Sequence, residues 1–304
     1  MSHPSPVVDR PALPELLREV RALEIAVRRR VHGAFAGEYS TAFKGSGLEF
    51  DEVRSYQPGD DIRAIDWNVS ARSTHLFVKI FREERELSVF TLLDVSASQD
   101  FTAAGTSKRK ASLELAAGVA ISAEESGDRF GMAAFSDQVE LVARSRRGRR
   151  PLLAALTRLL ALERQSTGTD LKLALEFFRR LHKRRSLLFV ISDFLAPAGY
   201  EASLARLHLR HEVILLRTFH PDEPLRATAG ILPVVDAESN RTQWVVTGLG
   251  GRAMTQPPFA EVDQRLTQLA RRYRLDYVTI DCSGDVLLQL ERFFLKRNSL
   301  RRAN

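Results

Sequence analysis

The chain has 304 residues, 44% hydrophobic and 27% charged, the composition of a globular protein that buries an ordinary core without staples. Its single cysteine, Cys282, excludes an internal disulfide and a zinc site built on paired thiolates, and suits a reducing compartment. The formal net charge is +7, and no apolar run approaches the ~20 residues that cross a bilayer, so a cytoplasmic protein is expected, recruited to a membrane only through partners.

Residues 1–12 are polar and proline-rich and read as a disordered tail. Leu13 to Val31 reads as a helix, because Leu16, Leu17, Val20, Leu23 and Val27 recur every three to four positions. Residues 33–85 are rich in Gly, Ser, Asp and aromatics, and stretches such as His75 to Phe81 alternate like short strands. Residues 13–85 are therefore expected to form an N-terminal helix and small β module, and 86–304 a larger domain.

In the larger part, strands and helices alternate. Leu87–Asp94 reads as a buried strand, Lys108–Glu125 as a helix, and Arg129–Phe135 with Val139–Ala143 as a hairpin. Helices follow at Arg149–Leu162 and Leu171–Lys183, then a strand at Leu187–Ile191, a helix at Tyr200–Leu209 and a strand at Glu212–Arg217. The interval from about 218 to 258 holds two strand-like pieces, Ile231–Val235 and Thr242–Thr247, and reads as a β-hairpin insertion. A helix at Phe259–Arg272, a strand at Asp276–Ile280 and a helix at Asp285–Leu295 close the chain. This alternation predicts an α/β fold, a mostly parallel sheet with helices on both faces.

In such sheets ligands bind beyond the carboxyl ends of the strands. Those ends carry Asp94-Val95-Ser96-Ala97-Ser98, Ser166-Thr167-Gly168-Thr169-Asp170 and Ser192-Asp193. All offer hard oxygen donors, which select Mg²⁺, Mn²⁺ or Ca²⁺ over zinc or copper. The competing reading of Asp94, Ser96 and Ser98 is a cluster of helix caps.

Asp94-x-Ser96-x-Ser98, followed by Thr169 and Asp193, resembles the metal-ion-dependent adhesion site of von Willebrand factor A domains. The resemblance implies a Rossmann-like sheet. It also implies one divalent ion, magnesium first among candidates, surrounded directly or through water by Asp94, Ser96, Ser98 and Thr169. Asp193 would act through water, and one position would stay open for a partner's acidic residue. Gly45-Ser46-Gly47-Leu48-Glu49-Phe50, then Arg54, Tyr56, Gly59-Asp60-Asp61, Arg63, Ile65-Asp66-Trp67 and Ala71-Arg72, resemble the signature of a bacterial family, domain of unknown function fifty-eight. Lys79-x-Phe81-x-Glu83-Glu84 and Ser192-Asp193-Phe194 fit the same signature. One departure is Gln99, where a methionine commonly follows the second serine. Members are typically encoded beside MoxR-type AAA+ ATPases and are thought to act with them as chaperone-like or assembly factors.

Arg54, Tyr56, Asp60, Asp61, Arg63, Asp66, Trp67 and Arg72 read either as an interdomain ion-pair network or as a partner-docking surface, with the network favoured. Arginine runs at 28–30, 144–150, 179–185 and 297–302 read as solvated helix ends and loops; without interleaved aromatics they do not suggest base stacking, although nucleic-acid binding stays open. Gly248-x-Gly250-x-x-Ala253 is not a dinucleotide fingerprint, because Pro257-Pro258 break the helix it needs. His182, His208, His211 and His220 share no ligand spacing and are expected at the surface; Cys282 is expected in the core. The expected protein is a non-catalytic, metal-dependent binding factor acting with a MoxR-type ATPase or its client. The alternative is a magnesium-dependent phosphoesterase. A haloacid-dehalogenase-type phosphatase needs a second acid two residues after its first Asp, where this chain has Ser96.

Overall fold

The computed structural model describes residues 13–31, 39, 49–73, 75–82, 87–223, 230–235, 238, 242–247 and 259–302. The expected tail at 1–12, the signature residues Gly45 to Leu48, Glu83 and Glu84, and the Gly248 to Ala253 motif lie outside them. In chain order, α1 (Leu13–Val31) is followed by β1 (Glu49–Ser55), a 3-10 turn at Ile62–Ala64, the short α2 (Trp67–Ser70) and β2 (Phe77–Arg82). Next come β3 (Ser88–Asp94), β4 (Thr102–Ala103), β5 (Thr106–Ser107), α3 (Lys108–Glu125), β6 (Arg129–Phe135), β7 (Val139–Arg147), α4 (Arg149–Leu160) and α5 (Leu171–Leu181). The chain continues with β8 (Leu187–Ser192), α6 (Glu201–His208), β9 (Glu212–Phe219), β10 (Gly230–Val235), β11 (Thr242–Thr247), α7 (Phe259–Tyr273), β12 (Asp276–Asp281) and α8 (Val286–Arg302).

Two compact units result, Met1–Ala42 with Ser88–Asn304, and Phe43–Leu87. Helix α1 thus belongs with the larger unit, whereas the sequence reading grouped it with the β module in residues 13–85. The reason is its apolar stripe: Leu16, Val20, Val27 and Val31 are buried, and α1 packs on α3 and α4. The small unit is built on the antiparallel pair β1–β2, and Asp66 caps α2 by accepting from the N–H groups of Asn68 and Val69.

The larger unit is mixed α/β. Its six-stranded sheet has the order β12-β9-β8-β3-β6-β7, parallel except for β7 at one edge. Because strand side chains alternate, Phe90 and Leu92 of β3 and Leu188 and Val190 of β8 share one face, packed in a core with Leu175 and Phe178 of α5, Leu204 of α6 and Leu266 of α7. Helix α3 contacts β3, β6, β8 and β9 and is also packed by α1, α4 and α8. A helix enclosed on so many sides needs small residues, and Ala116, Ala117, Gly118 and Ala120 supply them; a Cβ on Gly118 would lie 2.7 Å from Leu287 Cδ2. The insertion is the antiparallel pair β10–β11, at the positions expected.

Two histidines depart from the surface reading. His211 is buried, bonded through Nδ1 to Ser186 Oγ at 2.8 Å and set edge-on to Phe178, while buried His220 meets Thr106 Oγ1 at 2.7 Å. Each buries its imidazole against a hydroxyl, and His220 also accepts at Nδ1 from the Asp222 N–H at 3.1 Å. Cys282 is buried as expected. Among the described residues no helix is long and apolar enough to cross a membrane.

Candidate functional site

Strand β3 pairs with β6 on one side and β8 on the other. The chain runs from β3 to β6 and β7, then returns across β3 to continue at β8 and β9. The carboxyl ends of β3 and β8 therefore flank a topological switch point, the place where open α/β sheets bind ligands. Asp94 ends β3 and Asp193 follows β8.

Asp94 is 1% exposed. One carboxylate oxygen accepts from the Ser96 N–H at 2.9 Å and the other from Ser192 Oγ at 2.6 Å. Ser96 Oγ lies 3.1 Å from Ser98 Oγ. Asp193 accepts from the Leu195 N–H at 3.1 Å and from Lys108 Nζ at 2.8 Å. The turn that aims it carries strain: buried Phe194 sits at φ 58°, a left-handed conformation that a bulky residue rarely adopts, with its N–H held by Ser192 Oγ. Asp94, Ser96 and Ser98 thus form one hydrogen-bonded chain, and Asp193 follows Ser192, whose hydroxyl donates to Asp94.

Thr169 arrives on a different loop. Glu140 of β7 accepts from the N–H groups of Gln165 and Ser166, and the Ala97 N–H donates to Thr167 O at 3.0 Å, so this loop docks beside the Asp94 turn. The Thr169 hydroxyl donates to Glu238 Oε1 at 2.5 Å. Among the eight residues of the charged tract, Arg54 grips Asp60 with two guanidinium bonds of 2.7 and 2.6 Å, Asp61 caps the 3-10 turn through the Arg63 N–H, and Trp67 is 63% exposed. These bonds lie inside the small unit.

Three functional groups were missing from the sequence-based site: Lys108, Glu223 and Glu238. Lys108 is fully buried and bridges Asp193 to Glu223, whose Oε1 lies 2.7 Å from Nζ. One sequence signal existed for it. A cation in the first turn of a helix opposes the macrodipole, so Lys108 at the start of α3 needed a carboxylate elsewhere.

Burial governs the electrostatics. Desolvation, then the charge of Asp193, pushes Asp94 up to about 7. Desolvation also works to raise Asp193, but the Lys108 ammonium and the bonds from Lys108, Ser98 and Leu195 hold it below the usual carboxylate range. Burial raises Glu223 despite Lys108, and Lys108 stays protonated because the charges of Asp193 and Glu223 outweigh its own desolvation. Among the described residues no cation bonds Asp94, which lies beside the Ser96 turn and its Ser98 partner. Such an all-oxygen donor set fits a small hard dication. Among the described residues no group of three or more His, Cys, Asp or Glu is placed to hold a metal, so any site here depends on hydroxyls as well as carboxylates.

The sheet order defines an open α/β protein with buried carboxylates and hydroxyls at its switch point. Residues 52–260 match the model of the family described as "Protein of unknown function DUF58", and the chain belongs to that family. An uncharacterized protein of Mycobacterium tuberculosis is 32% identical over 228 residues, covering 74% of this chain and 72% of that one. The uncharacterized protein YeaD of Bacillus subtilis is 45% identical over 49 residues, 16% of this chain and 12% of that one. Among solved structures, the conserved hypothetical protein BatB from Bacteroides thetaiotaomicron aligns with a TM-score of 0.47 at 15% identity, over 70% of this chain and 99% of that one. An aerotolerance-related membrane protein from Bacteroides fragilis aligns with a TM-score of 0.45 at 16% identity, over 70% and 98%.

Proposed function

We propose that this protein is a non-catalytic binding factor with a von Willebrand factor A-like sheet, which uses one divalent ion, magnesium by preference, to hold a carboxylate of a partner. The observation that carries the reading is that Asp94, Ser96 and Asp193 are buried together at the switch point, with half-buried Ser98 bonded to Ser96. Asp94, Ser96, Ser98 and Thr169 would hold the ion directly or through water, and Asp193 through water. When bound, the ion supplies a positive centre for a carboxylate that the protein's own side chains do not offer. The chain's residues do the rest: Lys108 keeps Asp193 charged and in place, and the Ser96 N–H and Ser192 hydroxyl orient Asp94.

The partner class follows from the family resemblance: a MoxR-type AAA+ ATPase or the client that it remodels. A phosphoesterase reading is weaker, because Ser96 stands where the general acid is required and its hydroxyl is engaged with Ser98. Nucleic-acid binding through arginines is also weaker, since Arg28 and Arg149 of the runs are spent on Glu24, Glu124 and Glu125. The test is co-purification with a MoxR-type ATPase in Mg²⁺, repeated with chelator and with Asp94→Ala. Binding should fall in both arms; undiminished binding in both overturns the metal bridge.

A further inference from the structure

Strand β12 is one edge of the six-stranded sheet, and among the described residues no strand pairs with its outer side. The end of the strand shows which main-chain groups face that side. The Cys282 N–H donates to Phe219 O of β9 at 2.9 Å, whereas the Asp281 N–H donates outward to Gln289 Oε1 of α8 at 2.9 Å. Main-chain groups alternate between the two sides of a strand, so those of Tyr277 and Thr279 point outward with those of Asp281. Gln289 Nε2 also donates to Asp281 O at 2.9 Å, so one side-chain amide gives Asp281 both of the bonds that a neighbouring strand would give. Among the described residues nothing covers Tyr277 and Thr279 in that way. Edges are usually blunted by lysine or proline on the strand itself, and Asp276–Asp281 carries neither.

This edge lines a groove of about 980 Å³ whose walls come from α7 and α8. Ala270 and Phe293 give the walls apolar surface, and Arg271, Arg292 and Lys296 give them charge. All three cations are exposed, and none makes an ion pair among the described residues. The acid that lines the groove, Asp276, is already matched by Arg297 at 3.1 Å. The groove therefore offers free main-chain groups along its strand and unmatched positive charge on both walls. We propose that the outer edge of β12 takes up an extended acidic segment of a partner protein, which adds a strand beside Tyr277 and Thr279 and sets its carboxylates against Arg271, Arg292 and Lys296. The spacing suits such a segment. Four helix residues, from Arg292 to Lys296, rise about 6 Å, and two strand residues span about 6.6 Å, so acids at alternate positions meet successive cations of α8. A second copy of this chain fits less well, because it would bring like charges together at this edge. The groove is separate from the carboxyl ends of β3 and β8 and needs no metal there.

The experiment is fluorescence anisotropy of the full chain with a labelled peptide as long as β12, 6 residues, alternating glutamate with valine. Wild type should bind it. N-methylation of every residue in the peptide should abolish binding, because methylated amides cannot bond a strand edge. A peptide alternating lysine with valine should not bind. Arg292→Gln combined with Lys296→Gln, both exposed on α8 and checked for folding by circular dichroism, should weaken binding about tenfold. Amide exchange at Tyr277 and Thr279 should slow when the glutamate peptide is added. A dissociation constant weaker than about 1 mM, binding that survives N-methylation or the double variant, or unchanged exchange at those two amides overturns the proposal. Tighter binding of an oligothymidylate of equal charge would assign the cations to nucleic acid instead. Slow exchange at Tyr277 and Thr279 without peptide would mean that the edge is already covered, by this chain if the protein is monomeric and by a second copy if it is not; either result also overturns it.

Discussion

Two ion clusters in the larger unit have similar membership and opposite surroundings. At the switch point, Lys108 faces Asp193 and Glu223, with Asp94 close by, and Lys108, Asp94 and Asp193 are at most 1% exposed. Beneath α1, Glu24 accepts from Arg28 and Arg149, and Arg28 also pairs with Glu124 and Glu125. There only Glu24 is deeply buried, and Arg149 is 60% exposed at its side chain. In the second cluster, water screens whatever charge is unmatched, so the ion pairs act as modest fasteners for α1. At the switch point burial removes that screening, and Asp94 is pushed up to about 7 instead. The second cluster fastens a helix; the first sets buried acids against one ammonium.

Removing the buried ammonium should break this contrast most severely. Lys108→Met leaves Asp193 and Glu223 buried without their counter-charge, and an uncompensated buried charge costs about 3 to 5 kcal/mol. Urea denaturation should show a loss of that order in metal-free buffer. Added Mg²⁺ should return part of it, since a ligand that binds only the folded state raises its stability. A loss below about 1 kcal/mol would mean that water already reaches the pair.

Acidity sharpens the comparison, because the clusters titrate with opposite signs. Asp94 is raised to about 7, so between its ordinary value of 3.8 and that point the folded state holds a proton the unfolded chain releases. Its contribution is therefore present at low pH and is lost as pH rises through about 7. Glu24 is lowered from 4.5, chiefly by its bond to Arg149, so its contribution is present above 4.5 and is lost as pH falls. Asp94→Asn in metal-free protein should flatten the decline toward pH 8 and raise stability there by about 2 kcal/mol. Glu24→Gln should instead remove acid sensitivity below pH 4.5 and cost about 1 to 2 kcal/mol at neutral pH. Thermal unfolding across pH checks both, and slopes of the same sign in the two variants would contradict the account.

How much of this was readable in the sequence follows from the range of the interactions. The alternation of apolar strands and amphipathic helices is local, and the strands of the six-stranded sheet and their helices fell where the pattern put them, whereas the two-residue pair β4–β5 carries no such pattern. Asp94, Ser96 and Ser98 are also local, one turn after one strand. Asp193 was placed by the strand before it, and the sheet order then brought it to Asp94. Glu238 was not readable, because its partner Thr169 lies 69 residues away and nothing in the insertion's own pattern marks it. Phe194 was equally hidden, since a positive φ at a phenylalanine is imposed by packing and not by propensity. Helix α1 was misassigned because its apolar stripe says that it packs, but not on what.

The smallest effect is expected in the small unit, and it separates docking from stability. Arg54 and Asp60 hold each other with two bonds, and Asp60 also accepts from the Gln57 N–H at 2.8 Å, which makes the pair a brace for its own turn. Exposed pairs of this kind contribute little to global stability, because solvent and salt screen them. Asp60→Asn should therefore leave the main unfolding midpoint unchanged while amide exchange at Gln57 accelerates. If the tract is a docking surface, the same variant should weaken co-purification with the ATPase, and more so at low salt, where unscreened charge counts most. A shifted midpoint would show that the turn braces more than itself. An unchanged midpoint with unchanged co-purification would assign the pair to its local turn alone.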